Sequence, residues 1–322
     1  MKRMVRVAVV QHGPVLYDTP KTIDKVRELT RKAASDGAEL VLFPADSERG
    51  RLGIFSSTFS EAFIGGYIKG ETFGISMGKR SEEGRDEFKR YFKSAIEYGG
   101  QESEQLASIA SEFNVILVIG VVEREGGTLY CAVFFYSEAG EHLGKHRKLI
   151  PTALERCVWG QGDGSTIDTI NTKVGTIGAA ICWENYMPLL RFSMYRDGVQ
   201  IYLAPTVDDR DVWLPTMTTI ALEGRCFVVS ACQFMTSADF SQDHESYKAV
   251  NEDGSANVLI RGGSCVVSPL GKVLVQPVFN KAVVHVVDLD MDEIIRGKFD
   301  LDTVGHYNRP DVFQLTVKKQ KL

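Results

Sequence analysis

Residues 174–188 are Val-Gly-Thr-Ile-Gly-Ala-Ala-Ile-Cys-Trp-Glu-Asn-Tyr-Met-Pro. The apolar first part predicts a buried β-strand, and its glycines and alanines are small enough to pack closely against a neighbouring layer. The strand delivers Cys182 to the turn before a helix, where N-terminal amides can lower the pKa of a thiol and raise its thiolate fraction. The alternative is a buried core cysteine at a strand end, which is the commoner case and which this segment alone does not exclude.

The segments before this stretch follow a β-α-β pattern. Residues 5–10 and 40–43 are compact apolar runs, and residues 21–34 between them place apolar side chains on one helical face. Pro20 in the first turn and Gly37 after the last turn mark the helix ends. Further along, periodicity predicts helices at residues 82–96, 102–113, 189–196 and 212–222, and strands at residues 115–122, 132–136, 175–181, 201–203, 226–231, 264–268, 272–275 and 282–287.

Helices alternate with two groups of strands, and no linker or low-complexity stretch separates them. The sequence therefore predicts one α/β domain over residues 1–322. Residues 45–60 interrupt the pattern, because they are rich in Ser, Arg and Gly and lack periodicity, and we expect a surface loop there. A short lysine-rich tail follows after about residue 315.

A second constellation places Lys148 and Glu155 seven residues apart around a Pro-Thr turn. A nearby carboxylate keeps a lysine charged. Such a lysine is suited to stabilising the negative charge that develops when a thiolate adds to a nitrile or carbonyl carbon. The alternative for the run of Lys145, Arg147 and Lys148 is a solvated strand edge. For the glycine-rich residues 160–164, the alternative to a phosphate-binding loop is a plain connecting loop, since no phosphate-binding Walker pattern is present.

A third piece is Ser60-Glu61-Ala-Phe-Ile-Gly-Gly-Tyr67, in which a carboxylate precedes an apolar, glycine-rich turn. An apolar neighbourhood raises the pKa of a glutamate toward neutrality, which suits a general base. The alternative for Glu61 is an ordinary exposed loop acid.

The three pieces in chain order resemble the Glu-Lys-Cys signature of the nitrilase superfamily. Trp183, directly after the cysteine, favours its true-nitrilase branch over the amidase and carbamoylase branches. Further matching segments extend the resemblance over nearly the whole chain: Ala204-Pro-Thr-Val-Asp-Asp-Arg-Asp-Val-Trp213, Ala221-Leu-Glu-Gly-Arg-Cys-Phe227, Gly262-Gly-Ser-Cys-Val-Val-Ser-Pro269 and Asp302-Thr-Val-Gly-His-Tyr-Asn-Arg-Pro-Asp311.

The resemblance implies an α-β-β-α sandwich whose subunits pair through outer helices as a homodimer, with larger spiral oligomers in some members. It implies Cys182 as nucleophile, Lys148 as electrophilic stabiliser, Glu61 as general base and Glu155 as a supporting second glutamate. The implied reaction is hydrolysis of an organic nitrile by water, through a thioimidate and a thioester, to a carboxylic acid and ammonia. No metal or organic cofactor is implied.

The sequence departs from the family before the base. In the family the glutamate directly follows the Phe-Pro that ends the second strand, whereas here residues 45–60 separate Pro44 from Glu61. Surface insertions cost little loop entropy, so we expect the fold to tolerate this one. Catalysis is more sensitive to the position of the carboxylate. Glu48 is the alternative base, but it lacks the Ala-Phe-Ile-Gly-Gly context, and we expect Glu61.

Composition excludes several classes of protein. The formal net charge is −5 and the isoelectric point is near 5.8, so no basic field exists to attract nucleic acid. The apolar stretch before Gln11 is too short for a signal or membrane segment, and we expect a cytoplasmic protein. The six cysteines form no CxxC pair and show no metal-ligand spacing with histidine.

Three functions remain open from the sequence. The first is a nitrilase, a hydrolase of carbon-nitrogen bonds other than peptide bonds. The second is an amidase or carbamoyl-amide hydrolase that uses the same three groups. The third is an inactive scaffold or binding protein, in which the insertion before Glu61 has disabled the base.

Overall fold

The computed structural model describes residues 3–44, 62–66, 73–76, 80–240, 251 and 253–321. Within these ranges, one six-stranded sheet contains β1 (Met4–Gln11), β2 (Leu40–Leu42), β3 (Ile116–Glu125), β4 (Thr128–Tyr136), β5 (His142–Arg147) and β14 (Val283–Asp290). Its strand order is β14-β1-β2-β3-β4-β5. The neighbours β1, β2 and β3 run parallel, and the other pairs are antiparallel.

A second six-stranded sheet contains β6 (Ile170–Thr172), β7 (Gly175–Ala179), β8 (Ile201–Leu203), β9 (Phe227–Ser230), β12 (Cys265–Val267) and β13 (Val273–Val275). Its order is β13-β12-β9-β8-β7-β6, with β7, β8 and β9 parallel. The strands β10 (Phe234–Thr236) and β11 (Val258–Arg261) form a separate antiparallel pair. Both large sheets are therefore built around a parallel centre, as β-α-β connections require.

Six α-helices join these strands in the described part of the chain: α1 (Thr19–Ser35), α2 (Glu82–Ser94), α3 (Gln101–Phe113), α4 (Pro188–Arg196), α5 (Trp213–Gly224) and α6 (Asp292–Asp300). The start of α1 follows local rules, because Asp18 accepts a hydrogen bond from the Lys21 amide and Pro20 lies in the first turn. Gly37 adopts a φ of 83° directly after the helix end, a conformation that favours glycine.

Three apolar cores divide the molecule into layers. One lies between the two sheets and takes alternate residues from both, such as Val7, Val9 and Ile201. A second lies between the first sheet and the helices α1 and α3. The third lies between the second sheet and the helices α4 and α5. The molecule is thus an α-β-β-α sandwich, which confirms the expected fold.

Most differences from the predicted elements have a physical reason. The strand β3 continues to Glu125, three residues beyond its predicted end, because Glu123 is buried in ion pairs rather than solvated. Five elements were not predicted: β5, β6, β10, β11 and α6. The charged residues of β5 and the short lengths of β6, β10 and β11 conceal the alternation that identifies a strand. The loop predicted at residues 45–60 lies outside the described residues.

The longest helix of the described chain, α1, is amphipathic, with polar residues along one side. Among the residues with a described structure, no helix combines the length and the apolar character needed to cross a bilayer.

Candidate active site

Cys182 lies three residues beyond the end of β7, as the first residue of a 3₁₀ turn over Cys182–Tyr186. Its φ is 51°, an uncommon conformation for a residue with a side chain. Two contacts hold it there: the Cys182 amide donates to the Pro205 carbonyl (3.0 Å), and Asn185 Nδ2 donates to the Cys182 carbonyl (2.6 Å). The side chain is fully buried. The predicted delivery of the cysteine to a turn before a helix is confirmed, since α4 begins at Pro188.

Lys148 directly follows β5 and is 1% exposed. Its Nζ donates to Glu155 Oε2 (2.8 Å) and to Thr152 Oγ1 (3.0 Å). Glu155 is equally buried, and it also accepts a hydrogen bond from the Thr152 amide at the start of a 3₁₀ turn over Ala153–Cys157. The structure therefore brings together Lys148 and Glu155. A buried ammonium needs such a partner to remain charged.

The alternative of a solvated charge run on β5 is wrong. The strand does lie at the sheet edge, yet Arg147 is 8% exposed and donates to Glu123 through Nε (2.6 Å) and Nη2 (2.8 Å).

The glycine-rich loop at residues 160–164 is also more than a plain connection. The Gly162 amide donates to the Lys148 carbonyl (2.8 Å), and a Cβ on this residue would collide with the Arg147 carbonyl. Glycine is required there by the close approach of two backbones.

Glu184 joins the two halves of the candidate site. Its Oε1 accepts the amide of Leu149 (2.7 Å), the residue after Lys148, and its Oε2 accepts the amide of Ile181 (2.7 Å), the residue before Cys182. Lys148 follows the edge strand β5 of the first sheet, and Cys182 lies beyond the end of β7 in the second. One buried carboxylate thus holds the chain beside the lysine and the chain beside the cysteine together.

His146 completes this arrangement. Its Nε2 donates to Glu184 Oε2 (2.9 Å) and its Nδ1 to the Thr166 carbonyl (3.1 Å). Burial lowers the pKa of His146, but the charge of Glu184 and the hydrogen bonds outweigh it and raise the pKa above the ordinary 6.5. Burial raises the pKa of Glu184, yet His146 and the backbone amides bring the net pKa below the ordinary 4.5. The two groups form a buried imidazolium-carboxylate pair.

Trp183 extends the site toward the surface. Its indole Nε1 donates to Asp208 Oδ2 (3.0 Å), and the Arg210 guanidinium lies 5.1 Å from the centroid of its ring system. Arg210 Nε also donates to Asp208 Oδ1 (2.6 Å). The hydrogen bond and charge of Asp208 raise the pKa of Arg210 above its ordinary value, although partial burial lowers it. A charged and aromatic cluster therefore flanks the cysteine turn.

The two candidate bases, Glu61 and Glu48, lie outside the described residues. Ala62, the residue after Glu61, is fully buried in the core between the sheets, which also contains Cys182. Gln233 Nε2 donates a long hydrogen bond to the Ala62 carbonyl (3.5 Å).

Three of the other cysteines, Cys157, Cys226 and Cys265, lie outside the core that contains Cys182. None of the six cysteines forms a disulfide bond, and Cys157 is the exposed one among them. Burial raises the pKa of Cys226 and of Cys265 to about 12, which makes both poor nucleophiles. In the ranges that the structure covers, no group of three or more His, Cys, Asp or Glu residues is arranged to hold a metal ion.

Sequence reasoning missed the part of the site that joins its two halves. His146 and Glu184 both occur in the motifs quoted for the lysine and the cysteine, but they lie 38 residues apart. In the sequence, the histidine stands two residues before Lys148 and the glutamate two residues after Cys182. Neither spacing indicates that the histidine contacts the glutamate.

Comparison with known proteins places the chain among hydrolases of carbon-nitrogen bonds. Residues 57–299 match the family model described as carbon-nitrogen hydrolase. The chain is 50% identical over 315 residues to a bifunctional nitrilase/nitrile hydratase of Nicotiana tabacum, covering 98% of this chain and 86% of that protein. It is also 50% identical over 315 residues to an aliphatic nitrilase of Sinorhizobium fredii (strain HH103), covering 98% and 96% of the two chains.

The solved structures agree on the fold. A carbon-nitrogen hydrolase from Helicobacter pylori superposes with a TM-score of 0.67 at 17% identity, covering 96% of each chain.

Proposed function

The chain belongs to the carbon-nitrogen hydrolase family, and from that premise we propose that it hydrolyses an organic nitrile to the carboxylic acid and ammonia, with Cys182 as nucleophile. The observation that carries the proposal is the buried ion pair of Lys148 and Glu155, tied through Glu184 to the turn that presents Cys182. Relatives at 50% identity that are named nitrilases support the choice of substrate class.

The proposed hydrolysis passes through two covalent intermediates on Cys182. The base takes the thiol proton, and Cys182 Sγ adds to the nitrile carbon to give a thioimidate after protonation of the nitrogen. A water molecule adds to that carbon, ammonia leaves, and a thioester remains on Cys182. A second water then releases the carboxylic acid and restores the thiol. Each addition develops negative charge beside the reacting carbon, which a fixed ammonium stabilises.

Lys148 is the group that we propose for this stabilisation. With its Nζ 2.8 Å from Glu155 Oε2 and almost no exposure, the ammonium is held charged and in one orientation before substrate arrives. Such preorganised charge costs no rearrangement during the reaction. We assign Glu155 the role of keeping Lys148 charged and oriented.

For the general base we propose Glu61. The Ala-Phe-Ile-Gly-Gly sequence that follows it supports this choice, as does the burial of Ala62 in the same core as Cys182. Glu61→Gln removes the base with little change in size, and we expect a loss of about 100- to 10,000-fold in kcat. The matched control is Glu48→Gln, which leaves turnover unchanged under this proposal. The reverse pattern would assign the base to Glu48.

The reaction itself is tested by measuring ammonia, acid and amide released from a panel of nitriles and matching amides. Wild type is compared with Cys182→Ala and with Cys265→Ala, a buried thiol outside the site. We expect release from nitriles by wild type and Cys265→Ala but none by Cys182→Ala. Faster turnover of amides than of nitriles would indicate an amidase, and a folded wild type that releases nothing would favour an inactive scaffold.

An amide is the second product to measure. The relative from Nicotiana tabacum is named a bifunctional nitrilase/nitrile hydratase, and this name favours partial release of amide by the present chain. Amide forms when the tetrahedral adduct expels the Cys182 thiolate instead of ammonia. The acid-to-amide ratio for each nitrile therefore measures which leaving group the site favours.

We also propose a cytoplasmic homodimer that forms through the outer α4 face, with a larger spiral oligomer as the alternative assembly. Leu189 of α4 is 68% exposed and Phe313 of the tail is 75% exposed, and the two line one apolar cleft of about 610 Å³. Contiguous exposed apolar surface of this kind indicates an interface. Leu189→Asp should convert dimers to monomers in sedimentation experiments. Six cysteines that form no disulfide suit the reducing cytoplasm. Cell fractionation tests that location.

A further inference from the structure

The two reactive groups of the proposed site follow strands of different sheets. Lys148 follows the edge strand β5 of the first sheet, and Cys182 follows β7 of the second. An apolar core lies between the two sheets, and apolar contacts are not directional. Directional interactions are needed to set the position of the Lys148 ammonium relative to the Cys182 thiol.

Glu184 supplies directional bonds across this junction. Its two carboxylate oxygens accept the backbone amides of Leu149 and Ile181, both at 2.7 Å. These residues are the immediate neighbours of Lys148 and Cys182. A shift of either segment therefore lengthens a hydrogen bond to the same buried carboxylate.

His146 fixes the carboxylate in turn. A carbonyl oxygen can only accept, so the 3.1 Å contact with Thr166 requires a proton on Nδ1 of His146. Glu184 Oε2 accepts the other ring nitrogen at 2.9 Å. The imidazolium thus donates at both nitrogens, and Glu184 accepts three hydrogen bonds.

Stability alone does not account for this pair. His146 is 3% exposed and Glu184 is fully buried, and a buried ion pair is often no more stabilising than apolar residues of equal volume. Removing one partner, in contrast, leaves an unpaired buried charge. Such a pair is suited to fixing one arrangement of the segments that it joins.

We propose that His146 and Glu184 are positioning residues that hold the Lys148 ammonium in register with the Cys182 thiol. This inference rests on the proposed function, because it assigns the pair to the same reaction. Small misplacements of reacting groups can reduce a rate by about 100-fold. Substitution of either positioning residue should therefore lower kcat rather than raise KM.

Three substitutions separate positioning from general stability. His146→Ala removes the donor, and His146→Gln restores a neutral donor at the Nε2 position. The matched control is Glu123→Gln, because Glu123 is a buried carboxylate paired with Arg147 and Lys145 on the same strand but does not contact the turn of Cys182. We compare kcat between variants whose Tm falls by the same amount. A difference in kcat then does not arise from a difference in stability.

We expect His146→Ala to lower kcat by about 100-fold with little change in KM, and His146→Gln to recover part of that loss. Glu123→Gln should retain kcat within about threefold of wild type at a comparable Tm. A kcat for His146→Ala within that same range of wild type would overturn the proposal. An equal kcat loss in Glu123→Gln at the same Tm would also overturn it.

A second readout does not depend on nitrile turnover. The rate of Cys182 alkylation by iodoacetamide, followed by peptide mass spectrometry, reports how strongly a nearby ammonium stabilises the thiolate. We expect slower alkylation in His146→Ala and a wild-type rate in Glu123→Gln. A wild type that hydrolyses no nitrile would refute the proposed function, whereas equal alkylation rates in wild type and His146→Ala would refute the positioning role.

Discussion

Replacing Glu155 with glutamine removes the charge that faces the Lys148 ammonium while preserving side-chain size. At the observed Nζ–Oε2 separation of 2.8 Å, the attraction is about 6 kcal/mol for an effective dielectric constant of about 20. Dehydration of the two groups offsets part of it, and loss of one partner from a buried pair costs about 3–5 kcal/mol. We expect Glu155→Gln to lose about 3 kcal/mol of unfolding free energy, since glutamine keeps one hydrogen bond.

The same substitution should lower kcat/KM by about 100- to 1000-fold, because Lys148 loses the partner that keeps it charged. Thr152→Val is the graded control: it deletes the hydrogen bond to Nζ, keeps Glu155 ionised, and should cost about 1 kcal/mol. Urea denaturation gives the unfolding free energies, and initial rates of ammonia release give kcat/KM. Wild-type kcat/KM in a folded Glu155→Gln variant would refute the role assigned to the ion pair.

Three further substitutions and conditions test other parts of the structure. Gly162→Ala should destabilise the fold by about 1–3 kcal/mol, because the added Cβ collides with the Arg147 carbonyl; unchanged urea denaturation would contradict that close approach. The pKa of His146 is raised and that of Glu184 is lowered, so their contribution is fully present from about pH 4.5 to 6.5 and declines as pH rises further. The unfolding free energy of wild type minus that of His146→Gln should therefore fall above pH 6.5, and a flat difference would contradict the ion pair. Glu61→Gln should abolish the acidic limb of the wild-type pH-rate profile, which would persist if another group were the base.

The sequence predicted the elements whose signals are local. The strand before Cys182 and the helix after residue 19 follow from apolar periodicity and capping, and both are present within two residues of their predicted bounds. The contact between Lys148 and Glu155 follows from a seven-residue spacing around a tight turn. These features depend on short stretches of chain, so one sequence is enough to predict them.

The parts that were missed depend on distant partners. The charges of β5 resemble a solvated edge until Glu123, 24 residues from Arg147, neutralises them inside the sheet. The bond from His146 to Glu184 spans 38 residues and two sheets. The positive φ of Cys182 is equally invisible in the sequence, because the Pro205 carbonyl and Asn185 impose it from outside the strand. Tertiary contacts, rather than local propensity, fix these features.

The most direct test of the account is to trap the covalent intermediate. Wild-type protein is mixed with a slowly hydrolysed nitrile, quenched in acid during turnover and digested for peptide mass spectrometry. We predict an acyl or imidoyl adduct on the peptide that contains Cys182, absent from Cys182→Ala and not found on Cys157 or Cys265. Ammonia release without an adduct on Cys182, or with an adduct on another residue, would contradict the assignment of the nucleophile.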